Sequence, residues 1–362
     1  MHLRVLFVTR KWPPAVGGME TYALKLTEAL ASRTTLEVKT LPGKSDGTPP
    51  GMFSLAAFML GCAALLRRRK VDVVHVGDLV LWPLALVARW AGSAPRLAMT
   101  AYGLDLIYGR RNGILPWFYR RYLALGVRLI GQSVRIIAIS SPTALLCREA
   151  GFNDVTVVTL GVDMPASTPP PPMGISGSRP FVLFVGRLVK RKGAAWFARE
   201  VLPLLPETLR LVVVGKCWDD QEMAALYGSE RIDYHDFVSD DALLTLRREA
   251  LVVIMPNIPS DGLDMEGFGL TALEAAADGG VLLASGIEGI VDAVMHGTTG
   301  FLLPAGDAPS WATKIAEVAA WPADRRASFI RGAQEAIAAH YAWGAVAERT
   351  LDAYRSQAEA HR

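Results

Sequence analysis

Short runs of aliphatic residues recur along this chain, each leading into a loop with glycine or proline and then into apolar positions at helical spacing. The first run, residues 3–8 (LRVLFV), is nearly continuous and β-branched, as a strand buried on both faces requires. Pro13, Pro14, Gly17 and Gly18 form the loop behind it, and Met19, Tyr22, Ala23, Leu26 and Leu30 then share one face of a helix that ends about Ser32. Further runs at 36–38, 71–76, 97–100 and 136–139, with helical stretches between them, predict a parallel sheet built from strand–helix repeats.

Near residue 165 the alternation lapses into PASTPPPPMGISGSRP, almost free of charge, which reads as a linker over 166–180. Residues 181–187 (FVLFVGR) then repeat the opening pattern, an apolar strand entering a basic loop with glycine, so a second domain starts at 181. Runs at 211–214, 251–255 and 281–284 carry the alternation on to about residue 340. In the last segment, 341–362, Trp343, Ala347, Leu351 and Tyr354 fall on one helical face, which must pack against another element. The chain thus reads as α/β throughout: a first domain over 1–165, the linker, a second domain over 181–340 and a terminal helix. Open parallel sheets bind ligands at the carboxyl ends of their strands, so the site is expected in a cleft that draws residues from both halves.

Length and composition support two folded domains. At 362 residues the chain exceeds the roughly 250–300 that one core serves. Its 51% hydrophobic and 20% charged residues exclude disorder, and a net charge of +3 from 38 basic and 35 acidic residues argues against nucleic acid as a partner. Cys62, Cys147 and Cys217 stand far apart without paired spacing, which fits a reduced, cytoplasmic setting. The N-terminal apolar run is too short for a secretory signal.

Residues 52–66 are the most membrane-like stretch, closed by Arg67, Arg68, Arg69 and Lys70, but they fall short of the ~18–20 residues a span requires. They predict a buried helix of the first domain with a basic C-terminal end. The alternative is a helix lying on an anionic membrane surface. A second basic and aromatic segment, 107–128, with Arg110, Arg111, Trp117, Phe118, Tyr119, Arg120, Arg121 and Arg128, adds to that alternative, a peripheral position on the inner face of the cytoplasmic membrane.

The densest chemistry lies in 255–277. A strand ending at Met255 leads through Glu266-Gly267-Phe268-Gly269 into a helix from about Leu270, with Glu274 one turn inside it. Gly267 and Gly269 allow close backbone approach, and the helix N-terminus offers free N–H groups and the positive end of its dipole, which together make an anion site. The two glutamates can take a ribose and a sugar as hydrogen-bond donors. Arg187 and Lys192, in the loop after the first strand of the second domain, supply fixed cations, the arginine as a fork and the lysine as a point charge.

The EGFGLTALE segment resembles the E-x7-E motif of family 4 glycosyltransferases, and PPAVGGMETY, VGRLVKRKG and EGIVDAVMHGTTGFLLPAGD are similar to further family segments in the same order. The resemblance spans nearly the whole chain. It implies the GT-B fold, two Rossmann-like domains facing a central cleft, the second binding the nucleotide sugar and the terminal helix returning to the first. By that resemblance Glu274 holds the ribose and Glu266 the transferred sugar. Gly267, Phe268, Gly269 and Leu270 line the donor, and Arg187 and Lys192 clamp its diphosphate. Gly17 and Gly18 let the first-domain loop approach donor or acceptor. It further implies retaining transfer of a sugar from a nucleoside diphosphate to a glycan or lipid-linked acceptor, in cell-envelope or exported polysaccharide assembly.

One position departs from the family. Where relatives carry histidine in T-x-H-G, this chain has Thr100-Ala101-Tyr102-Gly103, and Tyr102 is assigned the sugar contact as an uncharged donor. Asp105 is a candidate on the acceptor side. His75 follows an apolar strand, where it either lines the cleft or is a satisfied core or strand-end histidine, and it is assigned no role. His235 and His296 read as loop residues without partners at metal spacing. The sequence has no HExxH and no D-x-D, so no metal or cofactor is expected. Rival readings are a GT-B epimerase and a non-catalytic sugar-nucleotide-binding partner of another transferase. The absence of GxGxxG at either sheet start argues against a dinucleotide oxidoreductase.

Overall fold

The computed structural model describes residues 2–15, 17–43, 50–165, 180–259 and 264–357, so the linker read at 166–180 lies, but for Pro180, outside the described residues. By its internal contacts the chain forms two compact units. The first is Met1–Gly161 with Leu263–Gly267 and Trp343–Arg362, and the second is Val162–Gly262 with Phe268–Ala342.

The first half of the chain runs β1 (Arg4–Thr9), α1 (Gly18–Ala31), β2 (Thr35–Thr40), α2 (Met52–Arg68), β3 (Val73–Val76), α3 (Trp82–Trp90) and β4 (Arg96–Ala101). It continues through α4 (Leu104–Ile107), α5 (Ile114–Ile130), β5 (Arg135–Ala138), α6 (Ser141–Glu149) and β6 (Val155–Val157). The second half runs β7 (Phe181–Val185), α7 (Ala194–Trp196), β8 (Arg210–Val214), α8 (Asp220–Ala224), β9 (Ile232–His235), α9 (Asp240–Glu249), β10 (Val252–Met255) and α10 (Leu270–Ala277). After these come β11 (Leu282–Ser285), α11 (Ile290–Ala293), β12 (Phe301–Leu303), α12 (Ala308–Ala319), α13 (Ala323–Tyr341) and α14 (Trp343–Ser356).

Each unit holds one six-stranded sheet, ordered β2-β1-β3-β4-β5-β6 in the first and β12-β11-β10-β7-β8-β9 in the second. Every pairing is parallel. The order reverses between β1 and β3 in the first sheet and between β7 and β10 in the second. At such a reversal the connections leave in opposite directions and open a crevice beyond the carboxyl ends of the strands.

In the first unit Leu6, Val8, Val74, Val76, Leu97, Met99 and Ile136 pack one sheet face against α2, α3, α5 and α6. The other face turns to α1 and α14. There Phe7 meets His75, and the buried His75 bonds Tyr354 of α14 through Nδ1 and Thr100 through Nε2 at 2.8 Å. Burial pushes the His75 pKa down to about 3, so of the two readings its sequence context leaves, the ring is the neutral, satisfied core residue. Arg135 of β5 reaches the α14 carbonyl of Ala353 at 2.7 Å, and Arg33 pairs with Glu348 at 2.7 Å, so the terminal helix belongs to the first unit.

Two expectations change. Residues 52–68 do form a helix, but only Cys62 and Leu66 of α2 are fully buried, because α2 packs on α3 by one side and leaves Met52, Phe53 and Leu60 on the outside. His235 closes β9 instead of lying in a loop.

Candidate active site

In the second unit Arg187 follows β7, and α10 follows β10, the two strands that flank the reversal of the sheet. Gly186 and Leu188 continue the ladder past β7, their N–H groups bonding the carbonyls of Val214 and Lys216 at 2.9 Å each. Trp218 closes this extension by donating its N–H to the Leu188 carbonyl at 3.1 Å. The Arg187 side chain is exposed, and its guanidinium lies over the Trp218 ring, 5.0 Å from the centroid. A cation on an aromatic face keeps its N–H edge open while its swing is restricted. Trp218 is 64% exposed.

Lys192 ends the basic turn 190–192 and is half-buried. The turn is fastened to the β10 loop, since Ile258 donates its N–H to the Arg191 carbonyl at 3.0 Å. Gly193 follows at φ +75, where a Cβ would stand 1.9 Å from the Pro256 carbonyl oxygen. Only glycine allows that approach.

Gly269 caps α10 in the left-handed region, φ 98 and ψ 56, and no side chain caps the helix. The first-turn N–H groups of α10 lie at the positive end of its dipole. The ring of Phe268 is buried, 6.4 Å from that of Tyr341, which leaves the residue's backbone as the part that can reach a ligand.

Glu274 points from α10 toward α9, where Arg247 Nη2 donates to its Oε2 at 2.6 Å and Arg247 Nη1 to Asp278 at 2.7 Å. The Arg247 side chain is 7% exposed and that of Glu274 42%. The arginine thus sits inside while the glutamate reaches the surface with one oxygen already held. Sequence reasoning missed Arg247, because nothing in the local pattern links residues 27 positions apart.

The first unit has its own polar cluster where β1, β3 and β4 end. Arg10 Nε lies 3.0 Å from Oδ2 of the fully buried Asp78, whose Oδ1 accepts the Val80 N–H at 2.9 Å. Asp105 is buried beside them and accepts the Tyr102 N–H at 3.4 Å. Loss of solvent, then the charge of Asp78, push the Asp105 pKa up to about 6, against the pull of Arg10 and Lys11. Arg10 and Asp78 were also missed, although each directly follows or nearly follows an apolar strand.

Tyr102 is 3% exposed, with its ring edge-on to Tyr22 at 5.9 Å. Its enclosed hydroxyl has no hydrogen-bond partner among the described residues, and burial pushes its pKa well up. It forms a wall here, and the assigned sugar contact is not open to it in this conformation. Gly103 follows at φ +83, a left-handed turn into α4 that favours glycine. Gly17 is extended at φ 172, so its backbone angles do not demand glycine. A Cβ there would stand 2.7 Å from Glu20 Oε2, and that carboxylate, 3.7 Å from Lys11 Nζ, already meets the N-terminus of α1 that Gly18 opens. In residues 264–267 of this unit, Glu266 is half-buried, and a Cβ on Gly267 would come within 3.1 Å of the Tyr102 carbonyl oxygen. Among the described residues no three or more His, Cys, Asp or Glu side chains gather as metal ligands.

The family described as Glycosyltransferase Family 4 matches residues 16–164, and that described as Glycosyl transferases group 1 matches residues 179–320. D-inositol 3-phosphate glycosyltransferase of Xylanimonas cellulosilytica is 29% identical, over 93% of this chain and 91% of its own length. Alpha-maltose-1-phosphate synthase of Mycolicibacterium smegmatis is 24% identical, over 98% of this chain and 99% of its own. Among solved structures, Anabaena HepE in complex with UDP has a TM-score of 0.72 at 17% identity, covering 98% of this chain and 100% of that one. The two all-parallel sheets and this likeness make the fold GT-B. With both halves matched in order and relatives aligned from end to end, the chain belongs to the family 4 glycosyltransferases.

Proposed function

We propose that the enzyme transfers a sugar, with retention at the anomeric carbon, from a nucleoside diphosphate sugar to a glycan or lipid-linked acceptor. The setting is assembly of cell-envelope or exported polysaccharide at the inner face of the cytoplasmic membrane. The observation that carries the reading is the pair of anion-binding features on the two strands that flank the second sheet's reversal: exposed Arg187 after β7 and the uncapped N-terminus of α10 after β10. UDP bound to the similar HepE supports a nucleoside diphosphate as the ligand.

As the glycosidic bond lengthens, negative charge builds on the leaving diphosphate. The Arg187 fork, Lys192 and the N–H groups at Gly269 and Leu270 meet that charge without reorganising, which is where electrostatic catalysis has most effect. Glu274, steadied by Arg247, accepts hydrogen bonds from the ribose hydroxyls, and Glu266 from the transferred sugar. The acceptor hydroxyl gives its proton to the leaving phosphate on the face it attacks, which preserves configuration without a protein nucleophile. Gly17 and Gly18 keep the β1–α1 loop low enough for a substrate to approach. Asp105, enclosed with Asp78 and Arg10, positions the β4 end on the acceptor side. No metal or other cofactor belongs to the proposal.

The test is transfer from labelled UDP-, GDP-, ADP- and TDP-sugars into a lipid and glycan extract. One donor class should be consumed, and Arg187→Ala should lower turnover about 10²-fold or more, the scale of losing one charge-stabilising contact. Near-wild-type turnover in that variant would refute the assignment.

A further inference from the structure

The outer faces of α2 and α5 expose large apolar side chains in a way that the fold does not require. On α5 they are Ile114 (72%), Leu115, Trp117, Phe118 (58%), Leu125 and Leu129, and on α2 they are Met52, Phe53 (94%) and Leu60. Both helices stand in one layer on the same sheet face, with α3 between them. Each leads from a strand's carboxyl end back to the start of the next strand. Their N-termini, with Met52, Phe53, Ile114, Trp117 and Phe118, therefore share the edge of the first sheet at which Tyr102 and Asp105 follow β4.

The charge around this apolar face is mainly positive; the exception is Glu149, which pairs with Arg110 at 2.9 Å. Neither α2 nor α5 contains an acidic residue, and none occurs from Leu106 to Arg148. Exposed Arg110, Arg111, Arg120, Arg121 and Arg128 surround the apolar side chains of α5, and the Arg121 guanidinium lies 5.3 Å over the Trp117 ring. Beside them is an open depression of about 200 Å³ with an apolar floor of Leu106, Leu123, Val127 and Leu146, lined also by Arg120 and by the Arg110–Glu149 ion pair. Apolar and aromatic tips within a ring of arginines match the boundary between acyl chains and anionic headgroups. No helix among the described residues is long and apolar enough to cross a membrane.

We infer that the N-terminal part of α5, with that of α2, is a docking face for an anionic phospholipid bilayer, entering the headgroup layer with Trp117 and Phe118 and holding lipid phosphates on Arg120 and Arg121. This deepens the lipid-linked-acceptor reading and rests on it for its purpose, since it sets the acceptor side of the first unit at the surface where such an acceptor is found.

The experiment is flotation of the full chain with phosphatidylcholine vesicles, with and without phosphatidylglycerol. Binding should require the anionic lipid, weaken with salt, and fall at least about tenfold in the variant Phe118→Ser, Arg120→Ser, Arg121→Ser. Vesicles should also shift tryptophan emission to the blue, and Trp117→Phe, which keeps the apolar bulk, should remove most of that shift even if the triple variant does not fold. No flotation with anionic vesicles, equal flotation with neutral ones, or a solution dimer that the triple variant dissolves would overturn the inference. UDP and GDP binding is followed in parallel. Lost flotation with nucleotide binding intact removes this inference alone, and intact flotation without nucleotide binding removes the donor reading alone.

Discussion

Replacing Arg247 by Met should loosen the second unit and the nucleotide site together. The guanidinium bridges Glu274 at 2.6 Å and Asp278 at 2.7 Å from a buried position on α9. Breaking a fully buried ion pair costs about 3–5 kcal/mol, because the remaining charge stays unpaired. Here the abandoned carboxylates are 42% and 17% exposed and recover part of their hydration, which brings the expected cost to about 2–3 kcal/mol. At roughly 2–4 °C per kcal/mol for a unit of this size, melting should fall by about 5–10 °C. Methionine fills much of the arginine stem's volume, so the loss reports charge more than packing. Glu274, released to solvent, should also bind ribose less well and raise the donor KM more than it lowers kcat. Thermal unfolding and steady-state kinetics read both effects. Adding Asp278→Asn to the variant should return part of the stability, because one orphaned charge is then removed. A fall of less than about 2 °C with an unchanged KM would refute the view that Arg247 positions Glu274.

Three further outcomes follow from other parts of the structure. Asp105 has a folded pKa near 6, above the ordinary 3.8, so its burial costs stability at neutral pH, and the cost disappears as pH falls through 6 toward 3.8. Asp105→Asn should therefore raise the melting temperature at pH 7.5, by the equivalent of about 1–3 kcal/mol, and have little effect near pH 4; equal effects at both would contradict the assignment. Gly193→Ala, with its Cβ 1.9 Å from the Pro256 carbonyl oxygen, should destabilise by more than about 2 kcal/mol, whereas Gly228→Ala, at φ +84 in open space, should cost only the left-handed penalty of about 1 kcal/mol; equal losses in thermal melts would sink the argument from close approach. Trp218→Ala leaves the Arg187 charge but removes its support and should raise donor KM about two- to fivefold, with Trp218→Phe restoring most of it, and identical KM values in all three proteins would remove the stacking role.

The central strands were legible because strands buried on both faces, such as 181–185 and 252–255, spell out their burial as unbroken apolar runs. The strands β6, β9 and β12 were not read, since they are edge strands of only three or four residues, too short for a pattern to show. The EGFGLTALE segment disclosed the α10 turn because the glycines and the helix start are adjacent in sequence. Arg247 with Glu274 and Arg10 with Asp78 were invisible for the opposite reason: each pair meets only after separate strand–helix units have packed. Tyr102 was read for the hydroxyl of its type, and the sequence did not show that this hydroxyl is enclosed. The exposure of α2 was not readable either, for a helix rich in Leu, Ala and Met looks the same in sequence whether its outer face meets protein or a membrane.

The central claim is that the second unit binds a nucleoside diphosphate at Arg187 and the N-terminus of α10. The most direct test is calorimetric titration of the wild-type protein and of Arg187→Ala with UDP, GDP, ADP and TDP. The account predicts binding of one nucleotide class to the wild type and a loss of about tenfold or more in affinity in the variant, the scale of a charge-assisted phosphate contact of 1.5–3 kcal/mol. Binding that is equally tight in both proteins, or no binding of any of the four to the wild type, would contradict it.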